Sequence, residues 1–285
     1  MNLVSFMSAN FVARQLNYHM TEGWGQGDRA TNDYFRPVET FAERFAAMVQ
    51  EVRAMGFTAI DLWTGHLNPQ WATAQHVAIA QEQLANCELR VASLAGGFGN
   101  TKEEFEHSCR LAVAMGTTVL GGNAGLLKTD RPLLIALLKA HGVRLGIENH
   151  PEKTAQELLD KIGDGGDGVI GAAVDTGWFG TQGFDVVLAL VELRNHLFHV
   201  HCKDVLAVGA HETCRFGKGI VPIERCVETL QRIGYTGAIS VEHEPDHFDP
   251  TADVRASLRL LQRWLGKANP LRTEVVPLPA NQKSD

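Results

Sequence analysis

Short runs of β-type apolar residues alternate with amphipathic helical stretches along nearly the whole chain, about eight times in succession. The strand candidates are residues 3–7, 58–63, 89–95, 117–122, 143–148, 169–175, 197–202 and 238–243. Unbroken alternation of strand and helix implies parallel pairing through right-handed crossovers, and eight units in about 250 residues is the size of a (β/α)8 barrel. We therefore predict an α/β fold, a single (β/α)8 TIM barrel; a doubly wound open sheet is the alternative.

Two segments fall outside this alternation. Residues 10–38 follow the first strand candidate, contain several aromatic side chains and are predicted to form a long loop folded over the mouth of the barrel. Residues 267–285 are rich in proline and polar residues and are predicted to form a C-terminal arm that wraps a neighbour or is disordered. The expected organisation is one barrel domain, residues 1–266, followed by this tail.

The composition limits the kinds of partner that the chain can bind. Lys and Arg number 26 against 33 Asp and Glu, a formal charge of -7, so neither nucleic acid nor an anionic membrane is expected as a partner. No stretch approaches the ~20 uninterrupted apolar residues of a membrane span, and the N-terminus lacks a secretory signal pattern. The five cysteines show no C-x-x-C pair, which predicts reduced thiols. We expect a cytoplasmic protein.

Four strand candidates end in a side chain that can bind a metal ion or move a proton. These side chains, taken in chain order at intervals of 27, 26 and 41 residues, are Glu148, Asp175, His201 and Glu242. The first two intervals match one strand–helix repeat, and the third is one repeat with an insertion. Because the carboxyl ends of barrel strands form the catalytic face, the spacing places the four side chains at one height on adjacent strands.

Such a cluster needs a cation. Three carboxylates close together repel one another at neutral pH unless positive charge neutralises them. Three oxygen donors and one imidazole suit Mn²⁺, Mg²⁺ or Co²⁺ better than a thiolate-rich zinc site would, although Zn²⁺ is not excluded. The sequence therefore predicts a divalent metal centre, while any one of these residues taken alone would as often be a helix N-cap.

The motifs at these strand ends resemble those of a known superfamily. They are ENH (148–150), VDTG (174–177), HVHCKD (199–204) and SVEHE (240–244). Together they resemble the xylose isomerase-like sugar phosphate isomerase/epimerase superfamily, over residues 1–266. In relatives similar to tagatose 3-epimerase the Glu, Asp, His, Glu set binds one divalent ion and the glutamates move protons. The resemblance implies Glu148 and Glu242 as the acid and base, manganese ahead of the other ions, and a dimer or tetramer.

General chemistry agrees with these roles. A metal ion that chelates the carbonyl and adjacent hydroxyl oxygens of a keto-sugar lowers the pKa of the C–H bond between them and stabilises the enediolate that forms. Two carboxylates on opposite faces of that flat intermediate can remove a proton from one side and return it from the other, which is epimerisation. Proton transfer between adjacent carbons is isomerisation. The expected function is a metal-dependent isomerase or epimerase of a small ketose or keto-sugar.

Two residues depart from the epimerase pattern and open an alternative. Trp178 stands three residues after Asp175, where the resembled epimerases commonly have a histidine, and its indole suits stacking on a sugar ring or aglycone. His150 lies two residues after Glu148, on the same side of an extended chain, and is a candidate general acid or base. The alternative is a metal-dependent lyase or dehydratase that performs β-elimination on a 3-keto-glycoside or inosose, similar to inosose dehydratase. A non-catalytic sugar-binding partner subunit is the alternative of another class.

Further side chains near the strand ends are candidate substrate contacts. Together with Trp178 they are Trp63, His66, His199, Lys203 and Arg215. Aromatic and hydrogen-bonding residues at several strand ends are typical of a sugar site. Core packing, or for Lys203 an ion pair within the protein, is the competing interpretation.

Overall fold

The computed structural model describes residues 2–266, and within them eight parallel strands form a closed barrel. The barrel strands are β1 (Val4–Met7), β2 (Ala59–Trp63), β3 (Arg90–Gly97), β4 (Val119–Asn123), β5 (Arg144–Glu148), β6 (Ile170–Asp175), β7 (Leu197–Val205) and β9 (Ala238–Glu242), and a further short strand is β8 (Thr213–Cys214). Consecutive strands pair from β1 to β7, and β9 pairs with both β7 and β1. This closure confirms the predicted TIM barrel and excludes the open sheet. The short β8 pairs antiparallel with the end of β7, outside the barrel.

Helices cover the outside of the barrel. They are α1 (Trp24–Phe35), α2 (Val38–Ala54), α3 (Ala74–Asn86), α4 (Lys102–Ala114), α5 (Leu126–Thr129), α6 (Arg131–His141), α7 (Ala155–Ile162), α8 (Thr176–Thr181), α9 (Val186–Glu192), α10 (Ile223–Arg232) and α11 (Thr251–Gly266). In α2 the buried residues Phe41, Phe45, Met48 and Val52 recur at helical spacing and so form one face toward the core. None of the helices within residues 2–266 is long and apolar enough to cross a bilayer.

The segment 10–38 contains more structure than the predicted loop. It includes α1 and, before it, short 3-10 turns at Ser8–Phe11 and Arg14–Leu16. The buried face of α1 contains Gly27, Thr31 and Asn32, which are small or polar, so apolar periodicity did not reveal the helix. Gly27 allows close packing, because a Cβ atom there would lie 2.5 Å from the carbonyl oxygen of Val12. The predicted tail, residues 267–285, lies outside the described residues.

A buried polar layer crosses the inside of the barrel below its mouth. This floor layer consists of Ser5, Asp61, Ser93, His199 and Ser240. The Asp61 carboxylate accepts hydrogen bonds from the hydroxyls of Ser5 and Ser93, each at 3.1 Å, and lies 2.9 Å from Nε2 of His199. Two residues further along the strands, side chains on the same inward side reach the mouth of the barrel. The strand alternation therefore separates a buried layer from an accessible one.

Candidate metal centre and active site

A cavity of about 1170 Å³ opens at the carboxyl ends of the strands. The ionisable side chains in its wall are Glu148, His150, Asp175, His201, Lys203, Glu242 and Glu244, besides Glu212, Asp246, His211 and His247. Its larger apolar and aromatic residues include Trp24, Trp63, Trp178 and Phe248. The wall thus contains all four predicted metal ligands, the predicted catalytic His150, and three of the predicted substrate contacts, which are Trp63, Trp178 and Lys203.

The four predicted ligands converge from four adjacent strands of the barrel. Nδ1 of His201 lies 3.2 Å from Oε1 of Glu148 and 3.4 Å from Oε2 of Glu242. Asp175 joins them through Lys203, whose Nζ lies 3.1 Å from Oδ2 of Asp175 and 2.9 Å from Oε1 of Glu242. Parallel pairing sets the heights, since Asp175 stands beside His201 in the β6–β7 register. One network of charges therefore links residues 94 positions apart in the chain.

Asn149 explains why a carboxylate, an amide and an imidazole follow one another at the end of β5. The amide of Asn149 donates to the carbonyl oxygen of Asp175 at 3.0 Å and accepts from its N–H at 2.7 Å. This pair of hydrogen bonds ties the end of β5 to the end of β6. The side-chain oxygen Oδ1 of Asp175 accepts hydrogen bonds from the backbone N–H groups of Gly177 and Trp178 at the start of α8. Glu148 and Asp175 are thus held on a rigid backbone.

The spacing and chemistry of these side chains fit a hard divalent cation. Oxygen and nitrogen ligands at right angles around an octahedral ion are about 3 Å apart, close to the separations of 3.2 and 3.4 Å around Nδ1 of His201. Within residues 2–266, Oε2 of Glu242 is buried and accepts no hydrogen bond. A buried carboxylate oxygen without a hydrogen bond is costly unless positive charge lies beside it, and a cation held jointly with His201, whose Nδ1 lies 3.4 Å away, would supply that charge. Glu148, Asp175, His201 and Glu242 are therefore the residues that would hold the ion.

His150 lies between two of the predicted ligands. Its Nε2 lies 3.2 Å from Oδ2 of Asp175, and its Nδ1 lies 3.5 Å from Oε2 of Glu148. Burial alone would lower the pKa of His150, but the two carboxylates outweigh burial and raise it to about 10. The ring meets Trp178 edge to face, with centroids 4.5 Å apart. His150 can thus act as a proton donor to a substrate, or as a further ligand, since the three residues offer ligand atoms within 4.8 Å of one another.

Glu244 belongs to the same network, although it was not among the predicted site residues. Its Oε2 lies 3.1 Å from Nζ of Lys203, and its Oε1 accepts from Nε1 of Trp24 at 3.3 Å. Burial raises the pKa of Glu244 to about 7, with Lys203 acting in the opposite direction. Burial would lower the pKa of Lys203, but Asp175 and Glu242 raise it well above its ordinary value. The sequence signal was available, because Glu244 follows Glu242 at the two-residue spacing that His150 has from Glu148.

Trp178 forms part of the cavity wall and is held there from behind. Its Nε1 donates to the carbonyl oxygen of Glu152 at 2.9 Å. Its ring stacks on His211, with centroids 5.4 Å apart and an angle of 29° between the planes. His211 comes from the segment between β7 and β8, so this predicted insertion does reach the cavity. The indole therefore presents a fixed aromatic surface beside His150.

Two predicted substrate contacts, His66 and Arg215, do not line this cavity. His66 is buried edge to face against Phe35 and Trp63, and burial lowers its pKa to about 3. Arg215 follows β8, where the chain already returns to the outer helices: the next N–H, that of Phe216, donates to a serine hydroxyl of α11. His66 therefore belongs to the core, and Arg215 lies outside the cavity wall.

His199, another predicted substrate contact, also stands away from the cavity wall, although it points into the barrel. It is buried in the floor layer two residues before His201, and the two rings are 4.9 Å apart. Its Nε2 pairs with Asp61 at 2.9 Å. Burial would raise the pKa of Asp61, but His199 and His201 lower it. His199 therefore lies beneath the site rather than in its wall.

Known proteins resemble this chain in sequence and in structure. A segment of 85 residues is 34% identical to L-ribulose-5-phosphate 3-epimerase UlaE of Escherichia coli, covering 30% of each chain. The match therefore spans less than a third of the length of that curated relative. The probable 3-DHS dehydratase AsbF of Bacillus anthracis superposes with a TM-score of 0.64 at 15% identity, over 92% of this chain and 99% of that one. A xylose isomerase-like TIM barrel protein of Mycobacterium smegmatis, in complex with magnesium, gives 0.65 at 15% identity over 79% and 89%.

The family model described as xylose isomerase-like TIM barrel matches residues 49–264. That range begins in α2 and ends in α11, so it includes every barrel strand except β1. It also includes the four strand ends that converge at the cavity. The barrel closure and this match agree with the resemblance found in the four motifs. The chain belongs to the xylose isomerase-like TIM barrel family.

Proposed function

We propose that the protein is a divalent-metal-dependent isomerase or epimerase of a ketose or keto-sugar. The observation that carries the proposal is that carboxylate oxygens of Glu148 and Glu242 both lie close to Nδ1 of His201, at 3.2 and 3.4 Å. Their strands, β5 and β9, are separated in the barrel by β6 and β7. The two carboxylates therefore approach one point from different directions, which is the arrangement that proton transfer at both faces of a carbon requires.

The residues of the chain divide the chemistry among them. Glu148, Asp175, His201 and Glu242 would hold a divalent cation, with Mn²⁺ as our first choice ahead of Mg²⁺, Co²⁺ and Zn²⁺, and such an ion would polarise the substrate carbonyl and make the neighbouring C–H bond more acidic. Glu148 takes the proton from one face of that carbon, and Glu242 returns a proton to the opposite face. Lys203 supplies a fixed positive charge beside Asp175 and Glu242. Proton return to the same carbon inverts its configuration, and return to its neighbour moves the carbonyl group.

The match to the L-ribulose-5-phosphate 3-epimerase supports this proposal, because 3-epimerisation of a keto-sugar needs the same pair of proton transfers. The matched segment is short, so it supports the class of reaction and leaves the sugar open. We further propose that the protein works as a dimer or tetramer, which sedimentation measurements would show.

A lyase is the second candidate, and His150 favours it. His150 contacts both Glu148 and Asp175 and stands against Trp178, so it can protonate a leaving group beside the metal centre. Glu148 would remove the proton next to the carbonyl, and a β substituent would depart with the proton from His150. Water or an aglycone is then released and a double bond remains. Epimerisation releases nothing, which separates the two candidates.

The deciding experiment follows hydrogen exchange in D₂O. The metal-loaded protein is incubated with a panel of ketoses and 3-keto-glycosides, and products are analysed by NMR spectroscopy and mass spectrometry. Deuterium incorporated without loss of a group supports the isomerase or epimerase, and release of water or aglycone supports the lyase. Binding without exchange for every member would instead identify a non-catalytic sugar-binding subunit. Glu148→Gln should abolish exchange, while Glu103→Gln, which removes an exposed carboxylate of α4, is the matched control.

A further inference from the structure

A second chamber of about 750 Å³ adjoins the active-site cavity. The two share Gly97, Asn123 and His150, so a ligand can extend from one into the other past these residues. A Cβ atom added at Gly97 would meet nothing within 4 Å, which shows that the passage is open there. The chamber lies over the ends of β3, β4 and β5, away from Lys203 and Glu244. It contains none of the four predicted metal ligands.

Neutral amides supply the polar groups of this second chamber. The side-chain amides of Gln70 and Asn100 line it and make no hydrogen bond within residues 2–266. Asn123 stands where the chambers meet, and Nζ of Lys161 donates to its Oδ1 at 3.3 Å. Because an ammonium group can only donate, this contact fixes the amide so that its NH₂ group faces away from Lys161. Primary amides both donate and accept, as do the hydroxyl groups of a sugar.

The charges around the second chamber are mostly already paired. Lys161 lies 2.8 Å from Oε1 of Glu152. Glu104 accepts the backbone N–H groups of Asn100 and Thr101 at the start of α4. Among the described residues that line the chamber, Lys128 is then the cation without an ion pair. A phosphate group binds best to several cations or to a bidentate arginine, so this wall suits an uncharged, hydroxyl-rich ligand better.

We propose that the second chamber is a subsite for a glycosyl unit, so that the substrate is a glycosylated keto-sugar rather than a free monosaccharide. The inference rests on the proposed function, because it places the reacting keto-sugar at the metal centre. Small-molecule sites occupy about 300–1,000 Å³, and the active-site cavity alone already holds more than that. The glycosyl hydroxyls would meet the amides of Gln70, Asn100 and Asn123, and the ring would lie near Pro151.

The test compares keto-disaccharides with the monosaccharide that they contain. Lactulose, turanose and isomaltulose each attach a second sugar to fructose at a different position. Calorimetric titration into the metal-loaded protein should show at least one of them binding about tenfold more tightly than D-fructose. Asn100→Ala and Gln70→Ala should each lower the binding affinity for that disaccharide about fivefold, the effect of one lost hydrogen bond. Both variants should leave the affinity for fructose unchanged. Asn86→Ala, an exposed amide at the end of α3, is the matched control.

Three results would overturn the subsite. The first is that the disaccharides bind no more tightly than fructose, and the second is that the two variants weaken the binding of fructose and of the disaccharide equally. Tighter binding of fructose 6-phosphate than of any disaccharide, lost in Lys128→Gln, would assign the chamber to a phosphate group instead. The D₂O experiment keeps the two proposals apart: exchange with fructose but no disaccharide preference refutes the subsite alone, whereas a disaccharide preference without any exchange refutes the proposed reaction alone.

Discussion

The floor layer and the predicted metal centre use the same residue types, a carboxylate paired with a histidine, but complete their hydrogen bonds differently. In the floor layer Asp61 is held by His199 and by two serine hydroxyls, all buried. One step higher, Glu242 has a buried oxygen that accepts no hydrogen bond within the described chain, and several carboxylates share Lys203. A carboxylate with all its partners supplied by the protein serves stability, whereas crowded, incompletely paired carboxylates at a cavity are suited to a ligand.

The largest expected effect is on catalysis and falls on the upper site. Glu242→Gln removes a proton carrier and a charged ligand, so the rate of deuterium exchange should fall by about 10²–10⁴-fold, the usual range for a general acid or base. The free energy of unfolding without metal should change by less than about 1 kcal/mol, because relief of like-charge repulsion offsets the lost contact with Lys203. Exchange kinetics and urea denaturation measure the two quantities. A fall in the free energy of unfolding that is as large as the free-energy equivalent of the lost rate would show that Glu242 has a structural role.

The reverse pattern is expected in the floor layer. Asp61→Asn removes the charge that faces His199 and leaves that imidazole buried beside a neutral amide. The Asp61 carboxylate accepts hydrogen bonds that a neutral amide cannot all replace, and a hydrogen bond to a charged group is worth about 1.5–3 kcal/mol, so the free energy of unfolding should fall by about 3 kcal/mol and the urea midpoint should drop accordingly. Ser93→Ala, which removes one hydrogen bond to Asp61, is the milder companion and should cost about 1 kcal/mol. A loss of less than about 1 kcal/mol in Asp61→Asn would mean that these hydrogen bonds do not stabilise the fold.

Metal binding should stabilise the folded protein by a smaller free energy, and this stabilisation should depend on the upper site and not on the floor layer. A ligand at one hundred times its dissociation constant stabilises the folded state by about 2.7 kcal/mol. Added Mn²⁺ should therefore raise the melting temperature of the unmodified protein by roughly 5 °C, and EDTA should reverse the rise. Asp175→Asn should abolish the shift, whereas Ser5→Ala in the floor layer should keep it. Equal shifts in both variants would place the ion outside the predicted centre.

The fold was predictable because each barrel strand is a short apolar run and each strand end at the site is polar. Alternation also placed Glu148, Asp175, His201 and Glu242 at one level before their distances were known. Their role as ligands is still a prediction, tested by the metal titration. Depth was harder to predict, since His199 and His201 both point inward and only the packing across the barrel puts one beneath the other.

Two features of the structure were not predicted from the sequence, and each has a physical reason. The helix α1 buries small and polar residues, so its face has no apolar period. Asp61 lies inside an apolar strand, where the sequence gives no indication that serines from β1 and β3 surround it. A carboxylate within an apolar run is nevertheless a usable signal, because a buried carboxylate requires partners.

A further expected effect concerns a histidine that has no carboxylate beside it among residues 2–266. Burial lowers the pKa of His66 to about 3, with Arg14 acting in the same direction, whereas the carboxylates around His201 raise its pKa well above the ordinary value. Between pH 6.5 and about 3, His66 is protonated in the unfolded chain and neutral in the folded chain. The contribution of His66 to the free energy of unfolding is therefore complete above pH 6.5. Below that pH the free energy of unfolding falls by at most about 1.4 kcal/mol per pH unit.

The variant His66→Phe isolates this contribution. A phenyl ring suits the aromatic surroundings of Phe35 and Trp63 and cannot be protonated. Urea denaturation at pH 7, 6, 5 and 4 should give a shallower decline of the unfolding free energy than in the unmodified protein, whatever the difference at pH 7. His107→Phe, which removes an exposed imidazole of α4, controls for the loss of one histidine. Parallel curves for His66→Phe and the unmodified protein would show that His66 is protonated in the folded state, and that burial without a carboxylate does not keep a histidine neutral in this barrel.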